Sequence, residues 1–586
     1  VSAVVKYLPR RVAAEIYLDR VVKYGPLWLR YIPGKVFSIV NGKGRKIECF
    51  DVLPFFQCSL DEAAKKYLGK EKNKLSISVS ELSPEVYREH KAEIDAYAIQ
   101  DSALLQELVD TLVASIDSTG LHLKALYSPG YLAKCFLKKE KIRIEPCPST
   151  IIEEVTKCYH GGRIEVLRRG FFSDVTIYDL KSAYPAAMKT LPDLSLAVYE
   201  RSKAIQGKWD LVKIRTDETA SIVSPLALKR NGLLIFPSVN GEVWTTAIEA
   251  AQLKESFEIL DVINVIVPSD SQPFAELVDD LYDMRKKSGM EGLIYKLILN
   301  SLYGITAETR KQYIHASLDR VYKRLVKENA RASFENFAQE VARKCPQGWK
   351  YFDGSCKCDW CKAARIASRK VSAISNEALL EFEGNFWRRI KDNGAMANKL
   401  LATYITAITR CKVHETLAMF DKTAIAAFTD SVILEGNIDF PEQSGLGTWE
   451  KKYSGPCVVI GAGVYETNDE TKFRGFRVKR DPNNPDDRPL FSILSKMEGT
   501  TVGIPQKMRL SFGQAIRTNF EDYTDFNVIT DIEKKLDINF DRKRIWERDF
   551  TSGLDALTAR INSTPLAIKT KDKHHEKYFV PLRLRT

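Results

Sequence analysis

Two apolar runs, each ending in an aspartate, constrain this chain more than any other feature. Val175 to Tyr178 reads as a buried strand that delivers Asp179 to its end, and Pro185 stops regular pairing soon after. Thr423 to Phe428 and Val432 to Leu434 read as the arms of a hairpin with Asp430 at its tip. Strand ends of one sheet can meet. Two carboxylates about 4 Å apart repel by roughly 4 kcal/mol at an effective dielectric near 20, so such a pair shares a proton or holds cations. Taken singly, either residue is indistinguishable from an ordinary turn aspartate. The stretch between them gives the pair its meaning.

That stretch is Lys296-Leu297-Ile298-Leu299-Asn300-Ser301-Leu302-Tyr303-Gly304, preceded by Arg285-Lys286-Lys287. In a helix, Lys296, Asn300 and Tyr303 fall at i, i+4 and i+7 on one face, while Leu297, Ile298 and Leu302 point away. Such a face suits a triphosphate, with Tyr303 beneath a base. Two Mg²⁺ ions on the two acids can activate an attacking hydroxyl and stabilise a leaving pyrophosphate.

With D-x-x-S-x-Y-P at 179–185, K-x-x-x-N-S-x-Y-G at 296–304 and T-D-S at 429–431 in this order, the chain resembles the family B DNA polymerases. Tyr159-His160-Gly161-Gly162 is similar to the Y-x-G-G junction of the protein-primed branch, whose members serve viruses and mobile elements. The resemblance implies an α/β multidomain right hand of palm, fingers and thumb. It implies template-directed addition of dNTPs to a 3′ hydroxyl on a DNA primer-template, with Asp179 and Asp430 catalytic and binding the Mg²⁺ ions. Tyr184, Arg285, Lys296, Asn300 and Tyr303 are the expected nucleotide contacts, Tyr184 lying under the sugar and excluding a 2′-hydroxyl. For Arg285 a solvated basic turn, and for Tyr184 a core position behind the strand, remain open. Tyr159, Gly161 and Gly162 are expected on DNA, and a priming protein is a further expected partner.

The 586 residues call for several lobes, and the balance of 88 basic against 76 acidic residues, +12, suits a polyanion without requiring one. No apolar run reaches the roughly 18 residues of a membrane helix, so a soluble intracellular protein is expected. The chain begins with Val1, and no D-x-E precedes residue 50. Val12 to Tyr24 reads as a helix carrying Asp19 to solvent, and Ser59 to Leu68 as a capped helix. Tyr97 to Asp101 resembles the family's last exonuclease motif, Y-x-x-x-D. Lacking its partner acids, the first 150 residues are expected to be a truncated or degenerate ribonuclease H-like exonuclease lobe without excision activity.

Expected boundaries are that lobe at 1–150, palm at 151–273, fingers at 274–304, a cysteine-containing insertion at 305–400, palm again at 401–480, and a thumb with basic tail at 481–586. Within the palm, Trp209 to Ile214 and Gly232 to Phe236 read as strands and Trp244 to Glu255 as a helix. The insertion holds Cys345, Cys356, Cys358 and Cys361, which suit either a structural Zn²⁺ or free thiols in a reducing compartment. Trp349, Tyr351 and Trp360 alternate there with Lys and Arg, suiting single-stranded nucleic acid or a small core with a basic skin. Phe428 stands where relatives carry a first Asp, and Ala462 to Tyr465 resembles the primer-gripping motif without its basic residues. Tyr465, Arg477 and Lys479 remain as expected DNA contacts. A polymerase-derived DNA-binding scaffold and an RNA-templated polymerase are the alternatives.

Overall fold

The computed structural model describes residues 8–32, 35–77, 84–217, 222–316, 379–382, 385–394, 396–441, 444–478, 480–481, 484, 486–509 and 529–570. Its organising element is the strand Arg168–Leu180, which is long enough to take partners along both edges. Ser431–Glu435 pairs antiparallel along one edge and Trp449–Gly461 along the other. The sheet continues outward through Ala424–Thr429 and Arg163–Val166 on the first side and through Val464–Thr467 and Thr471–Phe473 on the second. Near the start of the long strand, Arg560–Pro565 joins as a further antiparallel partner. Gly170 permits that approach: at φ 120° it accepts a backbone contact in which an added Cβ would lie 1.9 Å from the Ala559 carbonyl oxygen.

Both faces of this sheet are covered. On one side the helix Lys399–Met419 buries Val413 and Leu417 against Tyr178, Leu180, Val432 and Leu434. On the other, the short helices Pro489–Ser495 and Gly553–Thr558 bury Leu490, Leu494 and Leu557 with Phe172, Ile433 and Val459. The largest core lies among helices. Phe55, Leu104 and Leu132 from the first part of the chain pack in one cluster with Leu281, Ile298 and Leu400. Helices Leu60–Leu68, Lys91–Ser118 and Pro129–Lys139 are thus continuous in packing with Gly289–Thr306. Leu60–Leu68 starts at the expected box, in which Ser59 Oγ accepts from the Glu62 amide and the Glu62 carboxylate accepts from the Ser59 amide.

Two of the five smaller sheets among the described residues bear on the sequence expectations. Val21–Tyr24, Leu27–Ile32, Val36–Asn41 and Lys46–Phe50 form a meander against the helix Arg10–Asp19. The expected single helix from Val12 to Tyr24 is therefore corrected: Arg20 at φ 70° ends it, and Val21 and Val22 enter the sheet. The second sheet runs Ala567–Thr570, Ser238–Thr246, Leu211–Asp217, Glu258–Ile266, Val198–Ser202. Here too a helix is displaced. Trp244 lies in a strand opposite Lys213, and only Ala247–Ala250 is helical, because β-branched Thr245 and Thr246 prefer the paired, buried register.

A buried ion triad ties residues 544–565 back to the central sheet. Glu165 accepts from Arg163 Nε at 2.9 Å and from Arg544 Nη1 at 2.7 Å. All three side chains are at most 3% exposed. Arg163 also stacks over Phe236 at 4.2 Å and donates to the Ser224 carbonyl. Against the upward push of burial, the two guanidiniums hold the Glu165 carboxyl below its usual range. Removing one partner strands buried charge, whereas replacing a whole ion cluster by apolar groups is often neutral. Glu165→Ala is therefore expected to destabilise the fold by about 3–5 kcal/mol. The combined Arg163→Met, Glu165→Leu, Arg544→Met variant is expected near wild type, and denaturant melts of both decide it.

Candidate active site

Asp179 is the penultimate residue of Arg168–Leu180, and Ser431 lies directly opposite it in the neighbouring strand. Asp430 therefore occupies the turn beside Asp179, as the hairpin pattern predicts. The turn is tight: the Asp430 amide donates to the Phe428 carbonyl at 2.9 Å, and the Leu180 amide donates to the Asp430 carbonyl at 2.7 Å. Its geometry costs backbone strain, because Thr429, β-branched, sits at φ 67°. Ser182, just beyond Asp179, is also left-handed at φ 48°. Such conformers cost about 1–3 kcal/mol each and persist where the surroundings enforce them. Gly162 is part of that enforcement: a Cβ there would lie 2.6 Å from Thr429 Cγ2 and 2.8 Å from Tyr184 Oη.

The two acids have no ion-pair partner among the described residues. Burial, then the neighbouring Asp430, lifts the Asp179 carboxyl to about 6. Burial likewise raises Asp430. Both sites disfavour their own charge, the expected condition of a pair awaiting a counter-charge.

After Leu180 the chain turns through Lys181 and Ser182 into the short helix Ala183–Lys189, which carries Tyr184. The Tyr184 ring lies 4.4 Å from that of Tyr303, and the Tyr303 hydroxyl is 3.1 Å from that of Tyr159. Burial pushes Tyr184 up to about 12, so it remains a neutral phenol. Tyr303 belongs to Gly289–Thr306, whose start at Ser288 and Gly289 matches the expected break between two helices. Lys296 and Asn300 are exposed on that helix while Leu297, Ile298 and Leu302 are buried, the division read from the spacing. Arg285 caps the preceding helix Ala275–Met284 and donates to Ser182 Oγ. The structure thus gathers Asp179, Asp430, Tyr184, Arg285, Tyr303, Tyr159 and Gly162 around one turn.

Arg410 belongs with them, and the sequence reading left it out of the site. From Lys399–Met419 it donates to the carbonyls of His160 at 2.7 Å and Gly161 at 2.9 Å, while its Nε donates to Glu249 at 2.9 Å. It is 2% exposed. Nothing in the local pattern marks it, because Thr403, Thr406, Thr409 and His414 on the same helix are buried too.

Of the remaining candidates, Tyr465 borders this group through Phe428, and the others lie outside it. Tyr465 is buried, stacks on Phe428 at 5.1 Å and 10°, and donates to Glu470 at 3.2 Å. Arg477 is exposed and donates to the Lys507 carbonyl at 3.0 Å, beside the hairpin Thr501–Arg509 and Ile529–Asp537. Asp101 is ion-paired with Lys72 at 2.7 Å, and the Lys72 ammonium lies 4.4 Å from the Tyr97 ring centre. Lys479 and the four cysteines Cys345, Cys356, Cys358 and Cys361 lie outside the described residues. Among the described residues no group of three or more His, Cys, Asp or Glu is arranged to hold a metal, and no helix is long and apolar enough to cross a membrane.

Residues 72–345 match the family model of DNA polymerase type B, organellar and viral. The DNA-directed DNA polymerase of Enterobacteria phage PRD1 is 24% identical over 308 residues, half of each chain. The DNA polymerase of Acidianus bottle-shaped virus (isolate Italy/Pozzuoli) is 23% identical over 500 residues, 81% of this chain and 66% of its own. The chain thus spans about half to two thirds of these relatives. Phi29 DNA polymerase, complexed with primer-template DNA and incoming nucleotide substrates, shares the fold: TM-score 0.54, 14% identity, 86% of this chain and 83% of that one. The resemblance to family B read from the three motifs stands.

In metal-free buffer the acid pair has a measurable signature. Asp179 binds its proton more tightly folded than unfolded, so its contribution to stability is full below the unfolded carboxylate value and is lost as pH rises through about 6. Asp179→Asn is expected to raise the thermal midpoint near neutral pH in chelator and to flatten its pH dependence across that window. A lowered midpoint would contradict the repulsion.

Proposed function

We propose that this chain is a type B DNA polymerase and extends a DNA primer on a DNA template with dNTPs. The observation that carries the reading is the placement of two partly buried carboxylates, without an ion-pair partner among the described residues, at adjacent strand ends, with Tyr184 just beyond them packed on Tyr303 of the helix Gly289–Thr306. A palm would correspond to the central sheet and fingers to the helices Ala275–Met284 and Gly289–Thr306. The hairpin Thr501–Arg509 with Ile529–Asp537 would belong to the thumb. A groove of about 1190 Å³ runs from Asn300 and Gly304 to Arg20, Arg30 and Lys35, and its lining, which also holds Asp19 and the Lys134–Glu308 pair, carries an excess of basic side chains that suits a template strand.

Asp179 and Asp430 fit a pair of divalent cations. Buried oxygen donors that form no ion pair among the described residues are relieved by Mg²⁺, which favours such ligands. When bound, such ions lower the pKa of an attacking hydroxyl and neutralise the leaving pyrophosphate. The chain's own residues position the substrate. Lys296 and Asn300 face the triphosphate, and Arg285 approaches it from the end of the preceding helix. Tyr303 supports the base and Tyr184 the sugar. The Tyr184 ring packs on Tyr303, and its hydroxyl lies where a Cβ on Gly162 would collide with it, so a ring held in this way would exclude a 2′-hydroxyl from a sugar stacked on it. Arg410 and Glu249 fix the Tyr159–Gly162 loop against this stack.

Extension of a labelled primer-template tests the assignment. Asp179→Asn or Asp430→Asn is expected to lower extension by about 10²–10³-fold or more, the scale of losing one preorganised electrostatic group, with DNA binding retained. Extension near wild type in either variant would sink the reading, and DNA binding without dNTP addition by the wild-type chain would favour a scaffold. Tyr184→Val is expected to raise the ratio of ribonucleotide to deoxyribonucleotide incorporation. An unchanged ratio in an active variant would remove Tyr184 from sugar selection.

A further inference from the structure

Beside the acid pair, one glutamate serves three cations. Glu450 stands directly opposite Asp179 in the strand Trp449–Gly461. Lys452, on the same strand, ion-pairs with it, and Lys181 Nζ from the turn after Asp179 lies 3.9 Å away. Among the described residues Glu450 is the one carboxylate within ion-pair reach of either lysine. Lys452 first, then Lys181 and Arg285, holds the Glu450 carboxyl below its ordinary range. Arg285 itself donates to a hydroxyl, Ser182 Oγ, and among the described residues it acts on Glu450 from beyond ion-pair distance.

This arrangement is poor as a structural staple. Like charges directly across two strands destabilise a sheet, so Glu450 opposite Asp179 works against pairing. The cations outnumber the carboxylate they share. The side chains of Glu450, Lys181 and Lys452 are 39%, 28% and 49% exposed. Exposed pairs of this kind contribute little and exchange partners readily, whereas a phosphate accepts several charge-assisted hydrogen bonds at once. Lys181 lies in the turn that follows Asp179, and Ser182 of the same turn accepts from Arg285.

We propose that Lys181 and Lys452, with Arg285, dock the outer phosphates of the incoming nucleotide and the pyrophosphate that leaves. Glu450 is their placeholder anion, displaced when phosphate arrives and returning as pyrophosphate departs. The inference rests on the polymerase reading and adds two phosphate contacts and an internal competitor to it.

Single-nucleotide incorporation, with inorganic pyrophosphate as inhibitor, tests it. Lys452→Ala and Lys181→Ala are each expected to raise the KM for dNTP and the pyrophosphate inhibition constant by about tenfold, the scale of one charged hydrogen bond, with kcat little changed. Lys452→Arg is expected to restore both constants. Glu450→Gln, which removes the competitor, is expected to lower both by about threefold, since an exposed pair contributes under about 1 kcal/mol. Unchanged constants in the two alanine variants, or raised constants in Glu450→Gln, overturn the docking site while Asp179-dependent extension leaves the polymerase reading intact. A wild-type chain that extends no primer overturns both.

Discussion

Repulsion between Asp179 and Asp430 is the constraint around which the described structure is arranged. Hydrogen-bonded strands hold the two acids at neighbouring ends, and the Leu180 amide fixes the Asp430 backbone. Burial first, and then the charge of Asp430, raises the Asp179 carboxyl, so the strand ends hold charge where the folded chain disfavours it. The sheet supplies the opposing force. Val175, Ile177, Val432 and Ile433 are all buried between helix-covered faces, and this packing cannot relax without moving both strands. The strained turn residues Thr429 and Ser182 are held by the same packing. A lone hairpin would flip out of such conformations.

The positioning is reinforced from a distance. Arg163 pairs across from Thr429, one residue from Asp430, and is locked by Glu165, which is locked in turn by Arg544. On the other side Arg410 grips the loop whose Gly162 packs against Thr429 and Tyr184. Two buried arginines from remote parts of the chain thus bear on one turn. Neither contacts the acids, so both act through backbone placement.

Much of the site was legible because its signals are local. An apolar run ending in an acid reads as a strand end, the Lys296–Asn300–Tyr303 spacing reads as one helix face, and the Ser59–Glu62 spacing reads as a capping box. Each rests on a periodicity or a cap that short segments encode. What escaped is long-range. Nothing near Arg544 announces that its chain returns to cap the central sheet at Gly170, and nothing near Arg410 distinguishes a buried guanidinium from an exposed one. Trp244 to Thr246 fell to the wrong element because an apolar run fits a strand or a helix equally until its partners are known.

The distribution of charge around the acids argues that their exposure to one another is specific. Asp179 feels three further carboxylates, of Asp430, Glu450 and Glu470. Glu450 is matched by Lys452 and Glu470 by Lys472, while Asp179 and Asp430 have no such match among the described residues. Phe428 continues the pattern. Where relatives in the resemblance carry another acid, this chain has a ring stacked on Tyr465, whose hydroxyl points to Glu470. An acid at 428 would add a further negative charge one turn from Asp430, and an aromatic contact there adds packing instead. Of these acids, those without an ion pair among the described residues are thereby the two at the strand ends, where Lys452 acts on Asp179 only from a distance and a divalent cation would be useful, while the neighbouring Glu450 and Glu470 are ion-paired.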